Sequence, residues 1–235
     1  MREAFYFDGV SSLEYGIVLT GAEPEAAPQR DIESITVPGR NGGLLRDNGR
    51  FENVEVVYHC AITKNFRRLY DAFLAHLFSS PSYHRLEDTL HVDFYRMAVF
   101  RASIDPTVYP QAEAGTFDLR FDCKPQKFLK SGDFPLRLIG GQTITNQWMP
   151  ALPLIKITGI GIGRLVVGSS RMDITGMTGS ITLDCDVQNA YNGTINLNNN
   201  ITITGGWPVL ATGRTAISFS GGITSVEITP RWWTI

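Results

Sequence analysis

The clearest hydrophobic pattern in the chain lies in its first half. Seven apolar side chains there recur every three or four positions, which places them on one helical face. Thr63 or Asn65 can cap the start of this segment, and Ser80-Pro81 can end it. The pattern predicts an amphipathic helix over about 64–78, and its wide apolar stripe indicates packing against a sheet. The seven residues are Phe66, Leu69, Tyr70, Phe73, Leu74, Leu77 and Phe78.

Most of the remaining first half alternates between apolar and polar positions, the pattern of half-buried β-strands. Val54–Ile62 and Phe117–Cys123 alternate almost without interruption. Leu90–Ile104 is also predicted to be extended, with a break near Arg96. Together these segments predict a mainly β domain that carries one helix.

Residues Pro38–Phe51 follow neither pattern. Two turn signals, Asn41-Gly42 and Asn48-Gly49, lie seven residues apart with no core-like spacing between them. We predict an extended hairpin or arm that stands off the domain and is suited to lie on a neighbouring subunit. Deletion of Leu44–Asn48 should therefore leave each protomer folded.

The composition changes near residue 130. Residues 1–130 contain 33 charged residues and 8 glycines, whereas residues 131–235 contain 11 and 15. The second half is rich in Thr, Asn and Ile, and glycine turns recur at short spacing, which is typical of a β-sandwich of about eight to ten short strands. We predict two domains, 1–130 and 131–235.

The overall composition narrows the class of protein. The chain is 43% hydrophobic with a formal net charge of −2, which excludes disorder and leaves no basic surface for coating DNA or an anionic membrane. No stretch approaches the roughly 20 apolar residues of a membrane span, and no signal peptide is expected at the start. Cys60, Cys123 and Cys185 lie in alternating patterns, which favours buried thiols in a reducing cytoplasm over a disulfide or metal pair.

Sequence motifs for catalysis are weak. The four histidines lack zinc spacing, and no Gly-x-Ser-x-Gly elbow accompanies them. The glycine spacing of Gly159–Gly163 is similar to that of a nucleotide-binding loop. Such a loop precedes a helix, whereas a β-branched strand follows here, so a tight turn or bulge is the better interpretation. Asp184 and Asp186 could serve acid–base chemistry or calcium, with solvated strand-end carboxylates as the alternative. We predict no catalytic residues, no metal site and no cofactor.

Tryptophans in the second half suggest a different kind of site. Adjacent Trp232 and Trp233 point to opposite faces of a strand, so one of them can lie at the surface. Exposed tryptophans here, together with Trp207, could anchor a partner or stack on a sugar ring. The alternative is a final strand that seals the sandwich.

Several short motifs, taken in order, resemble the siphophage distal tail protein (Dit) family. Each motif is weak alone, but their order and spacing along almost the whole chain are specific. They are Phe7–Val10 with Tyr15–Ile17, Ile35–Gly42, Phe117–Pro125, Pro153–Gly161, Leu183–Asp186, Trp207–Leu210 with Gly213, and Pro230–Trp232.

This resemblance implies a structural role. The first domain would be a tail-tube-like β-sandwich with a helix and an extended hairpin arm, and the second a galectin-like β-sandwich. Copies would form a hexameric ring at the tail tip of the virion, after assembly in the host cytoplasm, and both a single ring and two stacked rings are compatible with the resemblance. The ring would join the tail-tube protein to the tail-tip protein. Rings of this family often carry receptor-binding proteins as well. The second half lacks the histidine of sugar-binding galectins, so lectin activity is not implied.

The arm supplies the subunit-interface candidates. Two other hypotheses remain beside the ring: a carbohydrate-binding sandwich that contacts the host surface through its tryptophans, and an enzyme that uses Asp184 or Asp186. Neither a membrane nor a specific nucleic acid sequence is expected as a partner. The interface candidates are Arg40, Asn41, Leu44, Leu45, Arg46, Asp47 and Arg50.

Overall fold

The computed structural model describes residues 3–23 and 25–235. The chain forms two compact units, Met1–Lys127 with Ile235 and Phe128–Thr234. Both units are built mainly from antiparallel strands, so the predicted mainly β fold class with one helix is confirmed across the described residues.

The sheet of the first unit runs in the order β2-β1-β7-β8-β10-β6-β3, with β9 added on β10, while β4 and β5 form a separate two-stranded sheet. Strand β10 pairs over Gly115–Cys123 with β6. The elements are β1 (Phe5–Phe7), β2 (Val10–Ser11), β3 (Ile17–Glu23), β4 (Arg30–Thr36), β5 (Gly43–Phe51), β6 (Val54–Ile62), α1 (Phe66–Leu77), β7 (His84–Asp88), β8 (Phe94–Phe100), β9 (Thr107–Tyr109) and β10 (Ala114–Leu129).

Aromatic side chains fill the core of this unit. The ring of Phe121 lies 5.2–6.0 Å from the rings of Phe5, Phe7, Tyr58 and Phe100. Helix α1 buries one face of four residues against the sheet, as its periodicity predicts. This packing removes large apolar areas from water, which is the main stabilising contribution to such a fold.

Three local expectations need correction. Phe78 lies beyond the end of α1 and is 54% exposed, with its ring edge-on to Phe100. Asn65 occupies the cap position but makes no side-chain capping bond, since its backbone is left-handed (φ 52°). The predicted extended segment Leu90–Ile104 is a strand only over Phe94–Phe100, and that strand, β8, runs unbroken through Arg96.

The second unit contains three long strands, of which the central one pairs with each of the other two along most of its length. Strand β13 pairs with β14 on one side and with β18 on the other. The strands are β11 (Leu136–Leu138), β12 (Gln142–Asn146), β13 (Leu154–Val167), β14 (Ser170–Asp184), β15 (Asn189–Asn192), β16 (Ile195–Asn196), β17 (Ile201–Thr204), β18 (Gly213–Thr229) and β19 (Trp233–Thr234).

Glycines bend the long strands so that each contributes to both layers of the sandwich. The β13 register shifts between Gly161 and Gly163, which identifies Gly159–Gly163 as a bulge. A Cβ on Gly159 would overlap the carbonyl oxygen of Gly222, so neither strand tolerates a side chain at this crossing. The sequence pattern predicts each half of such a strand as a separate short strand. In the structure the two halves belong to one continuous, bent strand.

The outer strands then complete two layers around one apolar core. The first halves of β14 and β18 pair with β17 and β12, respectively, and their second halves pair with β15 and β11. Ile155, Ile157 and Leu165 of β13 are fully buried between the layers. The predicted sandwich of the second half is thus confirmed.

Candidate assembly interface

The arm is the hairpin formed by β4 and β5, Arg30–Phe51. Its register pairs Glu33 with Arg46 and Ile35 with Leu44. The predicted arm began at residue 38, but the structure shows that the hairpin includes β4, which has no single apolar face to mark it as a strand in the sequence. Asn41-Gly42 lies in the connection, whereas Gly49 (φ 72°) lies within β5 beside a register shift.

All seven interface candidates lie in this hairpin and are exposed. Four apolar side chains of the arm face solvent in the isolated chain: the candidates Leu44 and Leu45, the latter at 74% exposure, and in addition Ile32 and Ile35. Cross-strand neighbours share a face of a hairpin, so Ile35 and Leu44 lie on one face, while Ile32 and Leu45 lie on the other. A two-stranded ribbon with apolar side chains on both faces is only marginally stable alone in water. The arm therefore has the composition of a docking element.

Charged pairs hold the base of the arm together. Arg30 donates from Nη2 to Asp47 Oδ2 at 2.5 Å, and Arg50 donates from Nε to Asp31 Oδ2 at 2.6 Å. Asn48 also donates to Asp31, and that hydrogen bond, followed by the bond from Arg50, lowers the pKa of the Asp31 carboxyl. The hydrogen bond from Arg30 likewise lowers the pKa of Asp47. These crossed pairs tie β4 to β5 near the base of the hairpin.

The three tryptophans singled out in the second half are half-buried rather than exposed. Trp207, Trp232 and Trp233 all pack against the core of the second unit. The Trp233 indole N–H donates to the Pro150 carbonyl oxygen at 2.9 Å. Their large apolar rings seal the sandwich, which corresponds to the alternative interpretation of this segment. A role for them in binding a partner stays a prediction.

Asp184, one of the two acidic residues considered for catalysis, is engaged in a structural contact, whereas Asp186 is exposed. The Arg231 guanidinium binds both carboxylate oxygens of Asp184, at 2.7 and 3.0 Å, and this hydrogen bonding lowers the pKa of the Asp184 carboxyl. Arg231 lies just before β19, so the pair ties the C-terminal segment to the end of β14. Within residues 3–23 and 25–235, no three His, Cys, Asp or Glu side chains come together as a metal site.

Ser82, His84 and Asp8 are connected in the same sequence as the serine, histidine and aspartate of a hydrolase triad. Ser82 Oγ lies 3.1 Å from His84 Nε2, and His84 Nδ1 lies 3.0 Å from Asp8 Oδ1. A triad also needs backbone donors aimed at the developing oxyanion. Here the Ser82 amide donates instead to the Ser80 hydroxyl at 3.4 Å. These bonds therefore brace the connection between α1 and β7.

His59 and the three cysteines are accounted for by pairing and by burial, respectively. His59 Nδ1 lies 2.7 Å from Asp118 Oδ1, and this hydrogen bond raises the pKa of His59. The three cysteines are buried and free, as predicted, and burial raises the pKa of both Cys123 and Cys185 to about 12. Among the helices of the described residues, none is long and apolar enough to cross a membrane.

Comparison with known proteins identifies the fold. No family model matches the chain, and no curated protein sequence does either. The structure is similar to that of the SPP1 Dit (gp19.1) protein, described as a paradigm of the hub adsorption apparatus in phages that infect Gram-positive bacteria. That match has a TM-score of 0.77 at 12% identity and covers 97% of this chain and 98% of that one.

Two structures of the phage p2 baseplate in its activated conformation are also similar. The one with strontium matches with a TM-score of 0.53 at 10% identity and covers 97% of each chain. The one with calcium gives the same TM-score and identity and covers 97% of this chain and 98% of that one. At these identities the likeness establishes the fold, which is that of phage hub proteins over the full length.

Proposed function

We propose that this chain is a structural hub protein of a phage tail tip, a distal tail protein whose copies assemble into a hexameric ring. The observation that supports this most directly is the full-length likeness to SPP1 Dit, which includes both units. Fold alone does not specify function, so the second support is the arm, whose exposed apolar residues need a partner surface.

The exposed arm supports the proposal of a ring. A contact between an arm and a different surface of the next copy is heterologous, and repetition of such a contact closes into a ring when the rotation fits. We infer that Arg40, Asn41, Leu44, Leu45, Arg46, Asp47 and Arg50 lie at this interface. The two units correspond in this proposal to a ring-forming domain (about 1–130) and an outward galectin-like domain (about 131–235).

The partners and location follow from the same proposal. The ring would join the tail-tube protein to the tail-tip protein in the virion, after assembly in the bacterial cytoplasm, and it could carry receptor-binding proteins. The role is mechanical, and we propose no enzymatic activity for it. The carbohydrate-binding alternative depended on exposed tryptophans, and the half-buried positions of Trp207, Trp232 and Trp233 do not favour it.

Electron microscopy of the purified protein tests the proposal. We expect negative-stain images of rings with sixfold symmetry, either for the protein alone or after addition of its tail-tube and tail-tip partners. Single copies at every concentration, both alone and with those partners, would contradict it.

A further inference from the structure

A groove opens beside the start of α1 in the first unit. Its volume is about 430 Å³, which lies within the range of roughly 300–1,000 Å³ typical of binding pockets. Its lining is mixed: Phe66, Val108 and Pro110 are apolar, whereas Asn65, Arg67, Arg68 and Glu113 are polar or charged. The lining residues used below are Phe66, Arg67, Arg68, Val108, Pro110 and Glu113.

The walls of this groove are fixed by the backbone. The Phe66 amide donates to the Glu113 carbonyl oxygen at 2.9 Å, which joins the start of α1 to the turn after β9. Gly115 leaves space for the Phe66 ring, because a Cβ at that position would overlap the ring. The groove is thus a preformed feature of the folded unit, and a partner would not have to order it.

The groove has unused binding capacity. Val108 is 37% exposed at its edge. None of the ion pairs in the described part of the chain involves Arg67, Arg68 or Glu113. A pocket that combines apolar side chains with two unpaired bases and one unpaired acid favours a partner with apolar side chains, an acid and a base.

One face of the arm carries the complementary set. Ile35 and Leu44 are cross-strand neighbours, 40% and 41% exposed. Glu33 and Arg46 form the next pair on the same strands, and their charged atoms are 3.9 Å apart, so neither group is saturated. On the opposite face, Asp47 is already held tightly by Arg30. The Ile35–Leu44 face therefore carries the charged side chains, Glu33 and Arg46, that can still pair with another molecule.

We propose that the Ile35–Leu44 face of the arm of one copy docks in the α1 groove of a second copy. Glu33 then faces Arg67 and Arg68, and Arg46 faces Glu113. This inference rests on the proposed function, and it adds which surface of the neighbour receives the arm.

A second groove of the first unit has a similar volume, about 410 Å³, and serves as the competing site. Polar groups line much of it, including His59, Ser103, Asp105 and Asp118. Two aliphatic side chains placed there would remove these groups from water without supplying hydrogen bonds, which is unfavourable. The α1 groove is the better match for the arm.

Disulfide trapping in the full chain tests this assignment. The native cysteines are buried, so a bond formed under mild oxidation reports engineered positions. We expect Leu44→Cys with Val108→Cys to give a reducible ladder of covalent oligomers up to six copies. The matched control, Leu44→Cys with Ser103→Cys, targets the competing groove and should give none. Single variants should give dimers at most.

A charge reversal supplies an independent readout. Glu33→Arg should weaken assembly at least tenfold by placing like charges together, and Arg67→Glu with Arg68→Glu should restore it. Three outcomes would overturn the docking assignment while leaving the ring intact. They are rings that form without Leu44–Val108 cross-linking, cross-linked oligomers from both cysteine pairs, and a disulfide that forms within one chain. Absence of rings in the unmodified protein, alone and with its tail partners, would overturn both proposals.

Discussion

Strands β5 and β6 show how similar local structure can serve opposite purposes. Each has nine residues, only two residues separate them, and both are antiparallel. Eight of the nine β5 residues are exposed, whereas β6 buries six of its nine and lies between β3 and β10. The comparison teaches that the first unit keeps its stabilising contacts in the sheet and leaves the arm available for another molecule.

The largest expected effect comes from removing a core aromatic side chain. Phe121→Ala should destabilise the first unit by about 3–5 kcal/mol, the usual cost of truncating a buried Phe. Its matched control in the arm, Leu45→Ala, should change stability by less than about 0.5 kcal/mol. Chemical denaturation followed by fluorescence measures both. Equal losses for the two variants would show that the arm belongs to the folding core.

The bend of the second unit should be nearly as sensitive. Gly159→Ala places a methyl group against the backbone of Gly222, and we expect a loss of about 1–3 kcal/mol. Gly140→Ala is the control, since no atom lies within 4 Å of its added carbon. Thermal unfolding compares the two. A neutral Gly159→Ala variant would mean that the long strands do not cross as closely as described.

Low pH should release the arm before the sheet. The pKa values of the Asp31 and Asp47 carboxyls are lowered in the folded arm. Their stabilisation of the hairpin is therefore complete above the pKa of an unfolded Asp, about 3.9, and it is lost as the pH falls through their lower pKa values in the folded arm. Hydrogen exchange, normalised for the intrinsic pH dependence, should show β5 losing protection below about pH 4 while β6 keeps it. Loss in β6 first would contradict this order.

The smallest effect expected is in thiol chemistry. Cys60, Cys123 and Cys185 should be inert to a thiol reagent at pH 8 in the folded protein, because burial raises their pKa values and blocks access. Denaturant should expose all three, whereas Leu45→Cys in the arm should react at once. A native cysteine that reacts as fast as the engineered one would show that a core opens readily.

Elements could be predicted from the sequence where the spacing of the apolar side chains matches the face that is buried. The alternation of Val54–Ile62 and the helical spacing after Phe66 reflect one buried face each, so both elements could be predicted. Residues Arg30–Thr36 were missed because an exposed strand has no apolar face to reveal it. The bent strands were split in prediction because Gly159–Gly163 signals a turn and a bulge equally well.

Parts of the candidate site depended on contacts between distant segments. The pairing of His84 with Asp8 joins the start of β7 to the turn after β1, two neighbouring strands that are far apart in the sequence, and no local motif marks it. The half-burial of Trp232 and Trp233 depends on where the chain end lies against the second core. The interface residues near Asn41-Gly42 could be proposed early, since the lack of any core pattern is itself visible in sequence.

The central claim is that copies of this chain assemble through the arm. Native mass spectrometry tests it most directly on two proteins: the intact chain and a variant in which residues 31–50 are replaced by a short glycine linker. We expect six-copy assemblies from the intact chain, with its tail partners added if required, and folded single copies from the variant under the same conditions. The same oligomeric state for both proteins would contradict the account.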